Sequence, residues 1–392
     1  MMMVNMMMDG YNRTAAMLGA ALVNFEQVKM SLSNPDVTQL IILAVLLGAV
    51  LCSLKRDRSE GPLERRQTDQ VKGFAVLMIV LGHLWTHVSS SKPLLGFAGD
   101  GVATFLLLSG FGLTVSERGH PFEWRRFITR RLLRVMIPYW IATVCILIVD
   151  AIVLGRFYST QDLVLTFLGV NITPATRHID YIRWFITFIL LWYVLFLIAR
   201  LCQDKVGIGV PMFLTGCALG LFILDYFVLT KTSYWSHVFA FPAGCWLARI
   251  SRSRDRKLSA GRCAVLGGSL MGAYVLCRLL LPVLWPQNYP FVIRTLLMEM
   301  LGLVFAAACI LLIGAMGRLG FTSRFLSVCG LLSYELVLLH GPLLIRYNPV
   351  FGLLPENLIV LSFVIFLVAA LVVAAVFHWL VAGAQRFVSN WI

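Results

Sequence analysis

Gly73-Phe-Ala-Val-Leu-Met-Ile-Val-Leu-Gly-His83-Leu-Trp85 is an apolar run broken by a single imidazole, with Lys72 at its head. Eleven steps of about 100° bring Lys72 and His83 back to nearly one helix face, roughly 16 Å apart along the axis. An ionisable group at membrane depth is costly and faces a bundle interior or a wet cavity, which makes His83 a functional candidate. The plainer reading has Lys72 reaching the headgroups and His83 bonded to a neighbouring helix.

Composition identifies the solvent around this run. Hydrophobic residues make up 59% of the 392-residue chain, charged residues 13%, and mean hydropathy is +0.84. A soluble domain would carry about twice that charge. The expected fold is an all-α polytopic membrane protein with about eleven transmembrane helices, at 38–54, 73–89, 98–115, 135–154, 184–201, 206–229, 236–250, 263–284, 292–315, 326–345 and 357–381.

The net charge of +14 follows from topology and not from nucleic-acid binding. Placing segments 55–72, 116–134, 200–205, 249–262, 317–325 and 385–392 on one side gives that side 23 of the 33 Lys and Arg. By the positive-inside rule these loops are cytoplasmic, the N-terminus is extracytoplasmic and the C-terminus cytoplasmic. Residues 1–37 then form an N-terminal extracytoplasmic or interfacial segment, with residues 14–25 apolar but too short to span. The start of the chain lacks a basic n-region, so no cleaved signal peptide is expected. Nine cysteines show no Cys-x-x-Cys spacing, which indicates neither a metal site nor a disulfide framework.

Two further elements carry chemistry. Gly101-Val-Ala-Thr104-Phe105-Leu-Leu-Leu-Ser109-Gly110-Phe111-Gly112 places small residues where helix backbones could meet closely. Ser109 is a possible nucleophile but lacks a local activating base, so packing explains it better. Arg125-Arg126-Phe-Ile-Thr-Arg130-Arg131-Leu-Leu-Arg134 then leads into Pro138-Tyr139-Trp140. Arg131 and Arg134 share a helix face, and arginine forks suit phosphate. The alternative for these arginines, with Arg130, is contact with anionic lipid.

Taken in order, these elements resemble the membrane-bound acyltransferase family 3. Lys72-x10-His83 resembles its Arg-x10-His pair. Gly101-Val-x-x-Phe105-Leu-x-x-Ser109-Gly-Phe111 resembles its small-residue helix, and Arg131-x-x-Arg134 its double arginine. Trp184-Phe185, Phe239-Ala-Phe-Pro-Ala-Gly244-Cys-Trp-Leu-Ala248 and Leu332-Ser333-Tyr334-Glu335-Leu-Val-Leu-Leu-His340 are looser echoes of later family stretches.

The resemblance implies a ten-helix acyltransferase domain over 66–385, preceded by one extra N-terminal helix at 38–54. It implies an O-acyltransferase moving an acyl group, commonly acetyl, from cytoplasmic acyl-CoA to a hydroxyl of a cell-surface glycan or lipid-linked sugar. No cofactor beyond the acyl-CoA donor substrate is expected. Carried over, His83 is the general base with Lys72 beside it, while Arg130, Arg131 and Arg134 bind the donor phosphates. Ser109, Trp184, Glu299 and His340 are candidates for lining the substrate path, Glu299 alternatively pairing with a cation. Arg278 and Asp225 are expected in helix–helix pairs, and His378 at an interface. Two positions depart from the family pattern: Lys72 stands where arginine is usual, and Glu335 where an uncharged residue is. Competing readings are a transporter or flippase for a lipid-linked sugar, and a catalytically impaired family member.

Overall fold

A computed structural model describes residues 32–57, 63–89, 98–118, 121–171, 179–227, 237–253, 258–284, 291–347 and 350–389. The expected N-terminal segment lies mostly outside them. The chain is almost wholly helical, as its composition requires when backbone polar groups have no water to bond. In chain order the helices are α1 (Pro35–Cys52), α2 (Arg65–Val88), α3 (Ala98–Ser116), α4 (Trp124–Arg131), α5 (Ile137–Leu154), α6 (Thr160–Phe167), α7 (Trp184–Val206) and α8 (Val210–Phe227). They continue as α9 (Ala240–Ser253), α10 (Ala260–Leu284), α11 (Phe291–Arg318), α12 (Arg324–Leu331), α13 (Ser333–Ile345), α14 (Val350–Leu353) and α15 (Ile359–Ser389).

Among the described residues, eight helices are long and apolar enough to cross a membrane, or nine if the broken pair α12–α13 is one span. The eleven expected spans are therefore too many by that measure. Within the stretches 206–229 and 236–250 the described helices are α8 and α9, but the apolar part of α8, Val210–Asp225, is short and α9 has only 14 residues. The stretch 326–345 is not one straight helix, because the chain turns by 75° between α12 and α13. Leu332, at φ −91° and ψ 9°, has left the helical region there. The expected span 135–154 begins earlier, since α4 runs into α5 through a π turn at Leu132–Met136.

The helix carrying His83 is the centre of the bundle. Of the apolar window of α2, 67% is buried, against 17% for α1 and 11% for α10, whose faces are left to lipid. Without a hydrophobic drive between helices in lipid, close contact depends on small residues. A Cβ on Gly73 would sit 2.0 Å from the Leu326 carbonyl, and one on Gly330 1.8 Å from that of Asp69, so α2 and α12 touch backbone to backbone. The α3–α9 contact is built the same way, by Gly110 against Phe241 and Gly244 against Leu107.

The six basic segments gather at one end of the bundle. Leu54–Arg56 pairs antiparallel with Phe321–Ser323, joining 55–72 to 317–325 in the only sheet among the described residues. Arg118 donates to the Ala248 carbonyl, and Arg200 lies 5.1 Å over the Phe122 ring. Gln385 donates to the Leu133 carbonyl at 2.7 Å. These contacts tie 116–134 to the C-terminal parts of α9 and α7 and to the C-terminal segment.

One prediction follows for the sidedness of that end. A cysteine at Ser253, in a variant lacking the exposed Cys52, Cys145 and Cys277, is expected to resist an impermeant thiol reagent in intact cells. It should react after permeabilisation, and labelling in intact cells would place the basic end outside.

Candidate active site

His83 on α2 meets His340 on α13, a residue 257 positions away. Nδ1 of His83 lies 2.8 Å from Nε2 of His340, and the rings stack at 5.1 Å with 12° between their planes. The bend before α13 directs that helix across α2 and makes the meeting possible. His340 is wholly buried, and its Nδ1 lies 2.7 Å from the Leu336 carbonyl, one turn back in its own helix.

These contacts order the protons. A carbonyl only accepts, so Nδ1 of His340 carries a hydrogen, and in the neutral ring Nε2 is then the acceptor. His83 must donate through Nδ1 to that nitrogen. In this tautomer the lone pair of His83 sits at Nε2, the position from which an imidazole takes a proton. The tautomers are assigned from the hydrogen-bond pattern.

His83 borders a cavity of about 70 Å³, walled by Ile79 of α2, Val102 and Phe105 of α3, Val337 of α13, and the strip Ile182–Trp184–Phe185. That volume holds a small acyl group or a few waters. Trp184 is thus brought to His83. The strip is held by a buried network. Asp180 accepts from the Ile182 N–H at 3.0 Å and pairs with Arg183 at 3.2 Å, both side chains 1% exposed. Arg183 donates to Thr143 Oγ1 at 2.7 Å and lies 5.2 Å over the Tyr139 ring. Tyr139 in turn donates to the Thr166 carbonyl at 2.6 Å.

The other expected residues fall elsewhere. Lys72 lies at the basic end of α2, 3.1 Å from Asp69 and part-exposed, a full eleven residues from His83. Arg131 lies over Phe127 and Tyr193, with its ring distances 5.8 and 5.4 Å, and Arg134 stands exposed beside Arg130, Arg131 and Arg65. The π turn that follows Arg131 and contains Arg134 leaves backbone carbonyls to be met by side chains. Tyr334 of α13 donates to Val135 O at 2.8 Å, and Gln385 to Leu133 O. Ser109 is four residues beyond Phe105 and seven beyond Val102, so it continues the cavity face of α3 toward the basic end.

Glu299 does not face this cavity: its carboxylate accepts from the His237 and Phe239 backbone N–H groups ahead of α9. Arg278 finds its partner in Asp100, which also accepts from Tyr274 at 2.6 Å. Glu335, the unusual charge in the Ser-Tyr stretch, pairs with His378 of α15 at 2.6 Å. Asp180 and Arg183 were not among the expected residues, although an Asp directly ahead of the short turn Tyr181–Arg183 is a recognisable capping signal. Nor was Asp69 as partner of Lys72, visible as an i, i+3 pair.

No curated protein and no solved structure matches the chain. A family model described as an acyltransferase domain matches residues 66–379, from the start of α2 to the last turns of α15 and across every element of this site. The chain therefore belongs to acyltransferase family 3, as a multi-pass integral membrane protein.

Proposed function

We propose that this acyltransferase moves an acyl group, acetyl in the simplest case, from acyl-CoA to a hydroxyl of a cell-surface glycan or lipid-linked sugar, with His83 as general base. The observation that carries this reading is the His83–His340 hydrogen bond, which places the His83 lone pair at Nε2 on a residue that borders a small, partly open cavity. The acceptor O–H gives its proton to that nitrogen as its oxygen attacks the thioester carbonyl. The tetrahedral intermediate collapses, the C–S bond breaks, and the departing CoA thiolate recovers the proton from His83. A positioned base of this kind contributes typically about 10²–10⁴-fold.

The donor enters from the basic end, which in this reading faces the cytoplasm, with the N-terminus outside and the protein in the cell membrane. Arg130, Arg131 and Arg134 engage the nucleotide phosphates, and Lys72 adds charge at the mouth of the path, about 16 Å from His83 along α2. Tyr334 links the two regions, because it bonds the π turn and lies on the helix that carries His340. Ser109 and Trp184 line the way between them. Purified protein incubated with labelled acetyl-CoA and a glycan acceptor should consume donor only when acceptor is present. Acceptor-dependent transport without donor loss would support a transporter instead.

The arginine assignment has its own test. Replacing Arg131 and Arg134 together with Gln is expected to weaken acyl-CoA binding by at least tenfold, since a hydrogen bond to a charged group is worth about 1.5–3 kcal/mol. Unchanged donor affinity by isothermal titration would assign them to lipid contact. Lys72→Arg keeps the charge and adds a planar fork, so activity should be kept or raised.

A further inference from the structure

We propose that the buried Asp180–Arg183 pair is a positioning element for the transfer. Its carboxylate end faces the turn that carries His340 and stabilises the cation formed when the His83–His340 pair takes up the acceptor's proton. This rests on the base assignment above.

A buried ion pair is a poor source of stability, because desolvation offsets its attraction and apolar replacements often do as well. The placement of this one suggests a use. A Cβ on Gly341, the residue after His340, would lie 2.8 Å from Ile182 Cδ1 and 3.0 and 3.3 Å from the two Asp180 carboxylate oxygens. The carboxylate thus lies against the backbone of Gly341, one residue from the imidazole. Arg183 is turned the other way, toward Thr143 and the Tyr139 ring. The pair is neutral as a whole, yet it is oriented with its negative end toward the histidines.

Transfer needs such an end. When Nε2 of His83 takes the hydroxyl proton, a positive charge appears beside the wholly buried His340 ring. It is shared through the Nδ1–H bond to His340, whose own Nδ1–H is held by Leu336. A fixed carboxylate beside His340 favours that charged state and requires no rearrangement as the charge forms.

The test separates charge from support. Asp180→Asn with Arg183→Gln removes both charges, keeps an oxygen for the Ile182 N–H and keeps a donor for Thr143. The double variant should fold, retain the KM for acyl-CoA and lose about tenfold or more in kcat. Wild-type kcat in a folded double variant would reduce the pair to a wall brace and overturn the proposal. Should the double variant fail to fold, Gly341→Ala combined with Ile182→Val, which removes the Cδ1 that the new methyl group would otherwise meet first, gives the second reading by comparison with Ile182→Val alone. The alanine methyl group displaces the carboxylate from the His340 turn with the ion pair still present, so kcat should again fall with KM kept, and an unchanged kcat would overturn the proposal. Absence of transfer in the wild-type protein would instead defeat the base assignment, which the same assay reports separately.

Discussion

Replacing His83 with Ala is expected to abolish acyl transfer while the protein still inserts and folds. The side chain borders a small cavity and is not a filler of tightly packed core, and it is hydrogen-bonded to His340 Nε2. Removing it leaves His340 bonded to Leu336 and a space that water can enter. The loss should fall on kcat, by about 10²–10⁴-fold, with acyl-CoA affinity kept, because the proposed donor contacts lie at the other end of α2. Folding is checked by thermal melting in detergent and turnover by release of free CoA thiol. Near-normal turnover in folded His83→Ala would remove the base assignment.

The second large effect is structural. Gly244→Ala is expected to prevent accumulation of folded protein. Its new methyl carbon would lie 1.9 Å from the Leu107 carbonyl oxygen and 2.8 Å from the Phe111 amide nitrogen, both backbone atoms that no rotamer change can move aside. The α3–α9 contact is reciprocal, with Gly110 against Phe241, so separating it at one point separates both. Overpacking within a core typically costs about 1–3 kcal/mol, and a clash with backbone belongs at or above the upper end. Gly112→Ala in α3, the other helix of this contact, meets no atom within 4 Å and should behave as wild type. Size-exclusion profiles of the two variants compare them directly, and a monodisperse Gly244→Ala protein of normal thermal stability would contradict the packing.

What the chain reveals on reading and what it conceals differ by range. The small-residue stretch 101–112 marks a close helix contact because the spacing of its glycines is local, and α3 uses Gly101 and Gly110 in that way. His83 stands out because an imidazole in an apolar run is conspicuous by itself. The bend at Leu332 was hidden, since no proline or glycine marks it between Leu331 and Ser333. With the bend hidden, nothing local says that His340 reaches His83, or that Glu335 reaches His378. Asp180 and Arg183 were missed for another reason: they precede the span beginning at Trp184 and read as ordinary loop charges. Only the packed structure shows that both are buried.

In the proposed mechanism the His83–His340 pair activates an acceptor hydroxyl toward a donor held from the basic end. Sealed vesicles of known orientation, carrying the wild-type protein or His83→Ala and given [¹⁴C]acetyl-CoA on the side of the basic segments, put both halves of that mechanism to one test. Label is expected in the glycan or glycolipid fraction of wild-type vesicles, none from His83→Ala, and none when donor is supplied only to the opposite side. Label incorporated equally by both proteins, or only from the opposite side, would contradict the mechanism.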